Sequence, residues 1–521
     1  MSGRLLKSGI IVSVMTLISR VLGLVRDVVV AGLLGAGGMA DVFFFANKIP
    51  NFLRRLFAEG AFAQAFIPVL TEVEHGGDKA ALRLFLARVS GTLGTLVLAV
   101  TVLGVIGSPI LAMLFGTGWF VDYLDGNPDG EKYLLSALML KITFPYLFFI
   151  TLTALSGAVL NTLNRFAVAA FTPVLLNVAI IVAALYRAPY MDTPAVGLAW
   201  GVFAGGIIQL VFQIPYLVNA GVLVRPQWGW SDPKVTKVRR LMIPALFGVS
   251  VSQINLLFDT FIASFLQDGA ISWLYYSDRL LEFPLGLFGI AIATVILPTL
   301  SRNHVATDNT QFSANMDWGV RMVCLLGIPA AAALIVLAAP MLTVLFERAE
   351  FSANDTQMAA MSLMAYASGL LFFMLIKVLA NGFFARQDTK TPVRFGITAM
   401  LANMLFNVIF AIPYGYVGLA MATAASALLN AGLLYRELHR LGVYRISRKT
   451  LVFILQVMIA SVVMVAVLLL LMRWLPVLGV SNEPERIMQL VALIVCGAVT
   501  FGLMWLLAGG RVSTLMQRNS Q

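Results

Sequence analysis

Apolar residues run along this chain in long stretches divided by short polar breaks, and the stretches are too long to be strands. A helix crossing bilayer hydrocarbon needs about 20 apolar residues. The pattern predicts fourteen such helices, near 8–34, 39–73, 86–115, 134–160, 166–186, 194–219, 239–267, 271–301, 318–346, 357–384, 391–413, 416–436, 450–474 and 487–508. Charges interrupt the first two spans, and Pro50 also falls in the second. The polar breaks are all about 20 residues or shorter, against the roughly 50 that a separate soluble domain needs.

Composition agrees with the pattern. The chain is 60% hydrophobic and its mean hydropathy is +0.90, well above the norm of soluble domains. The expected fold class is an all-α membrane protein, with no soluble enzyme-like domain and no catalytic site. Cys324 and Cys496 both lie in apolar runs and suggest neither a disulfide framework nor a metal pattern. His75, His304 and His439 are scattered among the connections. The first apolar stretch holds Arg20, Arg26 and Asp27 without a small-residue cleavage site, so it reads as a retained helix rather than a signal peptide.

Cations decide the expected orientation. With the N-terminus cytoplasmic, an even count of spans puts both termini inside, and 22 Lys and Arg residues fall on cytoplasmic segments. Five fall outside: Lys132, Arg187, Arg348, Arg473 and Arg486. The net charge of +11 is then a topology signal, and no basic soluble domain is present to bind nucleic acid.

The chain also repeats itself. The stretch VGLA occurs at Val196–Ala199 and at Val417–Ala420, and NV at Asn177–Val178 and Asn407–Val408. FIPVLTE from Phe66 echoes ILPTLSR from Ile296. A common offset of about 220–230 residues maps spans 1–6 onto 7–12, a parallel repeat of the kind found in two-lobed transporters. The expected division is an N-lobe at 1–220, a C-lobe at 221–440, and two extra helices at 441–521.

Charges inside the spans carry the functional expectation. A charge in lipid costs several kcal/mol, so intramembrane charges normally face protein or a wet cavity. Spans 1, 2, 7 and 8 hold twelve: Arg20, Arg26, Asp27, Asp41, Lys48, Arg54, Arg55, Glu59, Asp259, Asp278, Arg279 and Glu282. In span 2, steps of seven, seven and four place Asp41, Lys48, Arg55 and Glu59 within about 40° of one another on a helix; Arg54 points elsewhere. Arg20 and Asp27 share a face by the same spacing, with Arg26 displaced. Arg279 and Glu282 are i, i+3 partners.

Arg55–Glu59 and Arg279–Glu282 are also readable as internal ion pairs, and Arg54 and Arg88 as side chains snorkelling to the boundary. The excess of arginine, whose planar fork suits phosphate and carboxylate oxygens, points to an anionic cargo. No G-x-x-x-x-G-K-[ST] stretch is present, so ATP hydrolysis by this chain is not expected. No cofactor is expected; a coupling cation, with Asp259 as its candidate ligand, is the exception. Residues 451–472 and 487–508 hold no charge and are readable either as a peripheral stabilising pair or as a groove for a long lipid tail.

Five stretches resemble the MurJ (MviN) family: SRVLGLVRD (Ser19–Asp27), NKIPNFLRRLFAEGAFAQAFIPVL (Asn47–Leu70), KITFPY (Lys141–Tyr146), YYSDRLLEFPLG (Tyr275–Gly286) and RQDTKTPV (Arg386–Val393). Its members are bacterial lipid II flippases of the multidrug/oligosaccharidyl-lipid/polysaccharide exporter superfamily. The resemblance implies fourteen helices in two lobes around a cationic cavity, with the last two helices holding the lipid tail. It implies transport of undecaprenyl-pyrophosphate-linked disaccharide-pentapeptide across the inner membrane for peptidoglycan synthesis, with cell-wall synthesis machinery as candidate partners. It carries cavity roles onto Arg20, Arg26, Asp27, Asp41, Arg54, Glu59 and Arg279, and a sodium-site acid onto Asp259. A cation-coupled multidrug exporter of the same superfamily is the alternative, and it would carry fewer cavity arginines.

Overall fold

The computed structural model describes residues 2–56, 61–305, 309–475, 477 and 482–511. Among these residues the secondary structure is helical, with no strand. The first helices are α1 (Ser2–Leu34), α2 (Gly38–Arg54), α3 (Ala61–His75), α4 (Lys79–Ile106), α5 (Ser108–Phe115), α6 (Thr117–Leu124), α7 (Glu131–Thr143), α8 (Tyr146–Thr162), α9 (Phe166–Tyr186) and α10 (Pro194–Asn219). After an extended connection come α11 (Pro233–Ala263), α12 (Ala270–Pro284), a π-helical turn (Leu285–Gly289), α13 (Ile290–Val305), α14 (Asn309–Val336), α15 (Ala338–Phe346), α16 (Ala353–Ser368) and α17 (Leu370–Phe384). The last are α18 (Lys390–Arg440), α19 (Arg448–Trp474) and α20 (Glu483–Leu507).

Helix starts follow local chemistry. Asp78 caps α4 by accepting from the amide of Ala80, and Asp232 caps α11 from in front of Pro233. Ser352 and Asp355 form a reciprocal capping box on α16, and Ser447 caps α19. Each satisfies backbone donors that the first turn leaves without a helical partner.

Ten helices, counted among the described residues, are long and apolar enough to cross a bilayer. One of them, α18, takes in two expected spans; they part at Gly415, whose φ of 56° and ψ of −135° interrupt the helix. Several expected spans are pairs of shorter helices. Span 3 is α4 and α5, parted at Gly107; span 4 is α7 and α8, parted at Phe144–Pro145; span 9 is α14 and α15, parted at Leu337; span 10 is α16 and α17, parted at Gly369. The second span, expected near 39–73 with a kink at Pro50, holds α2 and α3, and α2 continues through Pro50.

These breaks reproduce the internal repeat in three dimensions. The interruptions of spans 3 and 9 and of spans 4 and 10 fall at corresponding positions. Asn164 and Gln387, 223 residues apart, share a positive φ of 61° after α8 and α17. Gly221 and Gly442, 221 apart, have φ of 70° and 68° after α10 and α18. The amides that follow close the same way, Val222 onto Leu217 and Val443 onto Leu438. Both VGLA glycines sit where a helix start meets the end of its predecessor. A Cβ on Gly197 would lie 2.7 Å from the Ala188 backbone, and one on Gly418 only 2.1 Å from the Phe410 carbonyl.

The chain forms two compact units, one of Met1–Ser272 with Arg348–Phe351 and the other of Trp273–Glu347 with Ser352–Gln521. The first unit extends past the repeat boundary and includes α11, which packs on α3. Within it the extended connection after α10 is pinned to α4. The Gln227 amide donates to the Ala87 carbonyl (2.8 Å), Gly229 N–H donates to Thr92 Oγ1 (3.0 Å), and Arg88 pairs with Asp232. A Cβ on Gly91 would lie 2.1 Å from the Gln227 carbonyl, so only glycine lets the strand of chain approach. In the second unit α19 and α20 pack together through Met464, Leu468, Leu490 and Leu493, and Phe453 and Val457 cluster with Trp505. Their outward residues, such as Val462 and Val499, are exposed apolar side chains.

Candidate functional site

The charged residues of the spans are placed unit by unit. In the first unit, Arg26 of α1 wraps onto its neighbour: Nε and Nη2 donate to Asp27 Oδ1 at 2.9 and 2.6 Å. Its Nη1 donates to Asn177 Oδ1 on α9 at 3.0 Å, and Asn177 Nδ2 returns to the Ser19 carbonyl at 3.1 Å. Asp27 is 2% exposed; burial at this depth is tolerable for a carboxylate whose charge is matched by a bonded guanidinium. Arg20, expected on the Asp27 face, is exposed. It is Arg26, displaced by spacing, that meets Asp27, because an arginine's long stem lets its head reach sideways around the helix.

The stripe on α2 faces α11 and the turn that follows it. Asp41 is 3% exposed and accepts from the amides of Gly269 (2.7 Å) and Ser272 (2.8 Å) and from Ser272 Oγ (2.6 Å). Lys48 Nζ donates to Thr260 Oγ1 at 3.2 Å, and Arg55 Nη1 donates to Gln253 Oε1 at 3.2 Å. Positions seven apart on α2 thus meet positions seven apart on α11, running in the opposite direction. The shared face read from spacing is a ladder of polar contacts joining two helices. Arg54 lies off this ladder, half-buried, with Nε donating to Asn51 Oδ1 one turn back at 3.1 Å. Glu59 lies outside the described residues.

Asp259 is half-buried next to Thr260, whose hydroxyl already receives the Lys48 ammonium. Among the described residues no three His, Cys, Asp or Glu side chains come together as metal ligands.

In the second unit Arg279 Nη1 donates to Glu282 Oε2 at 3.0 Å, the expected i, i+3 pair, and its guanidinium lies 5.8 Å from the centre of the Tyr275 ring. Asp278 is exposed. Spacing did not single out Asp317 of α14, a 4%-exposed carboxylate. It receives Arg321 Nη2 (2.8 Å), Ser447 Oγ (2.6 Å), Thr450 Oγ1 (2.6 Å) and the Tyr444 phenol (3.0 Å). Burial, with the Asp317 charge beside it, pushes the Tyr444 phenol well above the usual tyrosine range, so it remains a neutral donor. Asp317 therefore fastens the start of α19 to α14. The only sequence signal was Arg321, a cation one turn away inside an apolar run.

Helix pairs broken at repeat-related places, with charges held inside spanning segments, define a polytopic membrane transporter. A solved multidrug-resistance MATE family transporter of the MOP superfamily, in an inward-facing conformation, shares the fold at a TM-score of 0.68 and 15% identity, over 83% of this chain and 98% of that one. A solved lipid II flippase MurJ in an inward closed conformation gives a TM-score of 0.79 at 27% identity, over 95% of this chain and 98% of that one. The chain belongs to the lipid II flippase MurJ family, whose pattern matches residues 30–488. It is 62% identical to a probable lipid II flippase MurJ of Vibrio cholerae serotype O1 over 518 residues, 99% of this chain and 98% of that one. It is 58% identical to a probable lipid II flippase MurJ of Haemophilus influenzae, over 97% of this chain and all of that one.

Proposed function

We propose that this protein is a lipid II flippase, moving the undecaprenyl-pyrophosphate-linked peptidoglycan precursor from the cytoplasmic to the periplasmic face of the inner membrane by alternating access. The observation that carries the reading is 62% identity to a probable lipid II flippase along 99% of the chain. The chemistry is compatible: arginines within apolar helices offer paired donors to pyrophosphate oxygens.

The proposed substrate-binding residues are Arg20, Arg26, Asp27, Lys48, Arg54 and Arg55 in the first unit, and Arg279 and Glu282 in the second. Arg20 is exposed, and Arg279 is part-exposed beside Glu282. Arg26 keeps a fixed direction through Asp27 and Asn177, which suits it to orient rather than merely attract. Asp41 spends its oxygens on Gly269 and Ser272 and is assigned to holding the site's framework.

The proposed topology has fourteen spans with both termini cytoplasmic, and lobes at 1–220 and 221–440 followed by helices at 441–521. The matched turns at Gly221 and Gly442 support that division. Arg20→Ala, Arg26→Ala and Arg279→Ala are each expected to abolish rescue of cells depleted of their lipid II flippase, with the protein still in the membrane. Normal growth with all three variants would overturn the residue assignment. Unchanged access to lipid II at the outer face after depletion of this protein would overturn the substrate.

A further inference from the structure

Two tryptophans stand on the surface of the first unit, in the connection between α10 and α11. Trp228 is 59% exposed and Trp230 40%. Their rings stack at 6° with centroids 5.9 Å apart, and the Arg239 guanidinium lies 3.8 Å from the centre of the Trp230 ring. The backbone beneath them is tied down. Gln227 and Gly229 are bonded to α4, and the Trp230 carbonyl accepts from Arg239 Nη1 at 3.3 Å and from Thr236 Oγ1 at 3.4 Å. Two large rings held in the open are unfavourable in water, so this surface needs a partner.

Depth and direction select that partner. The connection crosses α4 at Ala87, Gly91 and Thr92, within about 9 Å of residue 86, where the span is expected to begin. That is the level of the headgroups and the first acyl carbons, where tryptophan is enriched and interfacial segments bury their apolar sides. On the helix, Gly91, Thr95, Leu98 and Val102 lie within about 60° of one another. The connection covers Gly91, and beyond it Thr95, Leu98 and Val102 are exposed. Leu98 and Val102 are apolar side chains deeper in the span, so this stripe faces lipid and the connection lies at its headgroup end. Charge agrees with the position. Arg225 on the connection and Lys234 and Arg240 on the first turns of α11 are exposed, while Asp232 is matched by Arg88 and Glu72 by Lys237. An acidic soluble protein would answer the cations but not the depth of the indoles.

We propose that this connection binds the bilayer surface, with Trp228 and Trp230 among the headgroups of one leaflet and Arg225, Lys234 and Arg240 on phosphates of acidic phospholipids. By the proposed topology, on which only the choice of leaflet rests, that leaflet is the cytoplasmic one. The contact sets the depth at which α11 starts, because Asp232, two residues after Trp230, caps that helix.

The test uses the full-length protein in nanodiscs. The difference in tryptophan fluorescence between wild type and the Trp228→Phe/Trp230→Phe variant isolates the signal of the pair. Phosphatidylcholine brominated on its upper acyl carbons should quench that signal about twofold more than the same lipid brominated near the chain ends, and aqueous iodide should quench it weakly. With bromines on phosphatidylglycerol alone, quenching should exceed that from an equal share of brominated phosphatidylcholine. The excess should correspond to acidic-lipid enrichment of about fivefold or more, and Arg225→Gln/Lys234→Gln/Arg240→Gln should erase it. Strong quenching by iodide with none from either brominated chain would place the segment in water and overturn the proposal. So would a signal that no quencher reaches, which would mean that protein covers the indoles. Equal quenching by the two brominated headgroup classes would overturn the role of the cations. Nanodiscs carry the same lipids on both faces, so none of these outcomes depends on the proposed orientation or cargo.

Discussion

At the scale of single residues, the charges in the spans divide by what their atoms already hold. Asp41 has three donors on its two oxygens and faces the Gly269–Ser272 turn. Removing it leaves two buried amides unsatisfied, a loss of about 1–3 kcal/mol for each such group. Asp41→Ala is therefore expected to lower the thermal unfolding temperature of the detergent-solubilised protein, with Asp41→Asn retaining part of the difference through its remaining carbonyl oxygen. A melting curve like wild type's alongside loss of transport would instead make Asp41 a residue of the cargo path. Arg279 and Glu282 form a part-exposed i, i+3 pair, worth at most a few tenths of a kcal/mol to the fold. Loss of function in Arg279→Ala would thus report on cargo rather than on stability.

At the scale of elements, the connection between α10 and α11 shows how a polar break acquires a structural role. Arg88, readable from sequence as a snorkelling side chain, pairs with Asp232, the cap of α11. Burial raises the Asp232 carboxyl, but Arg88 and the amides of Val235 and Lys234 more than offset it and hold the group below its ordinary value of 3.8. A carboxyl depressed in the folded state adds stability above its unfolded value, and that stability is lost as pH falls through the folded one. Thermal unfolding followed from neutral pH down through 3.8 should show the wild type losing more stability than Asp232→Asn over the acid end. Parallel curves would mean that the pair contributes nothing to holding α11. Asp317 plays a comparable part for α19, gathering four side-chain donors at one helix start.

At the scale of the whole molecule, the cation bias and the repeat make one joint prediction. In a background with Cys324 and Cys496 replaced by serine, single cysteines at Asp129 and Tyr190 should react with an impermeant thiol reagent in intact cells. Cysteines at Lys79 and Arg386 should react only after the membrane is opened. The reverse pattern would invert the topology. The fold class, the helices from 166–186 and 194–219, the repeat offset and the family were legible in sequence, because span length and apolar run are local properties that a bilayer enforces on every helix. The breaks at Gly107, Phe144–Pro145, Leu337 and Gly369 were not legible as breaks, since apolar residues continue across them and only packing decides where a helix bends. The stripe of Asp41, Lys48 and Arg55 was visible as periodicity, yet periodicity names a face and not what the face meets. That Lys48 and Arg55 reach Thr260 and Gln253, and that Arg26 reaches Asn177, depended on residues far apart in the chain. Hydrogen bonds are short and directional, so such partners are chosen by tertiary contact, whereas the hydrophobic pattern that places the helices is written residue by residue along the sequence.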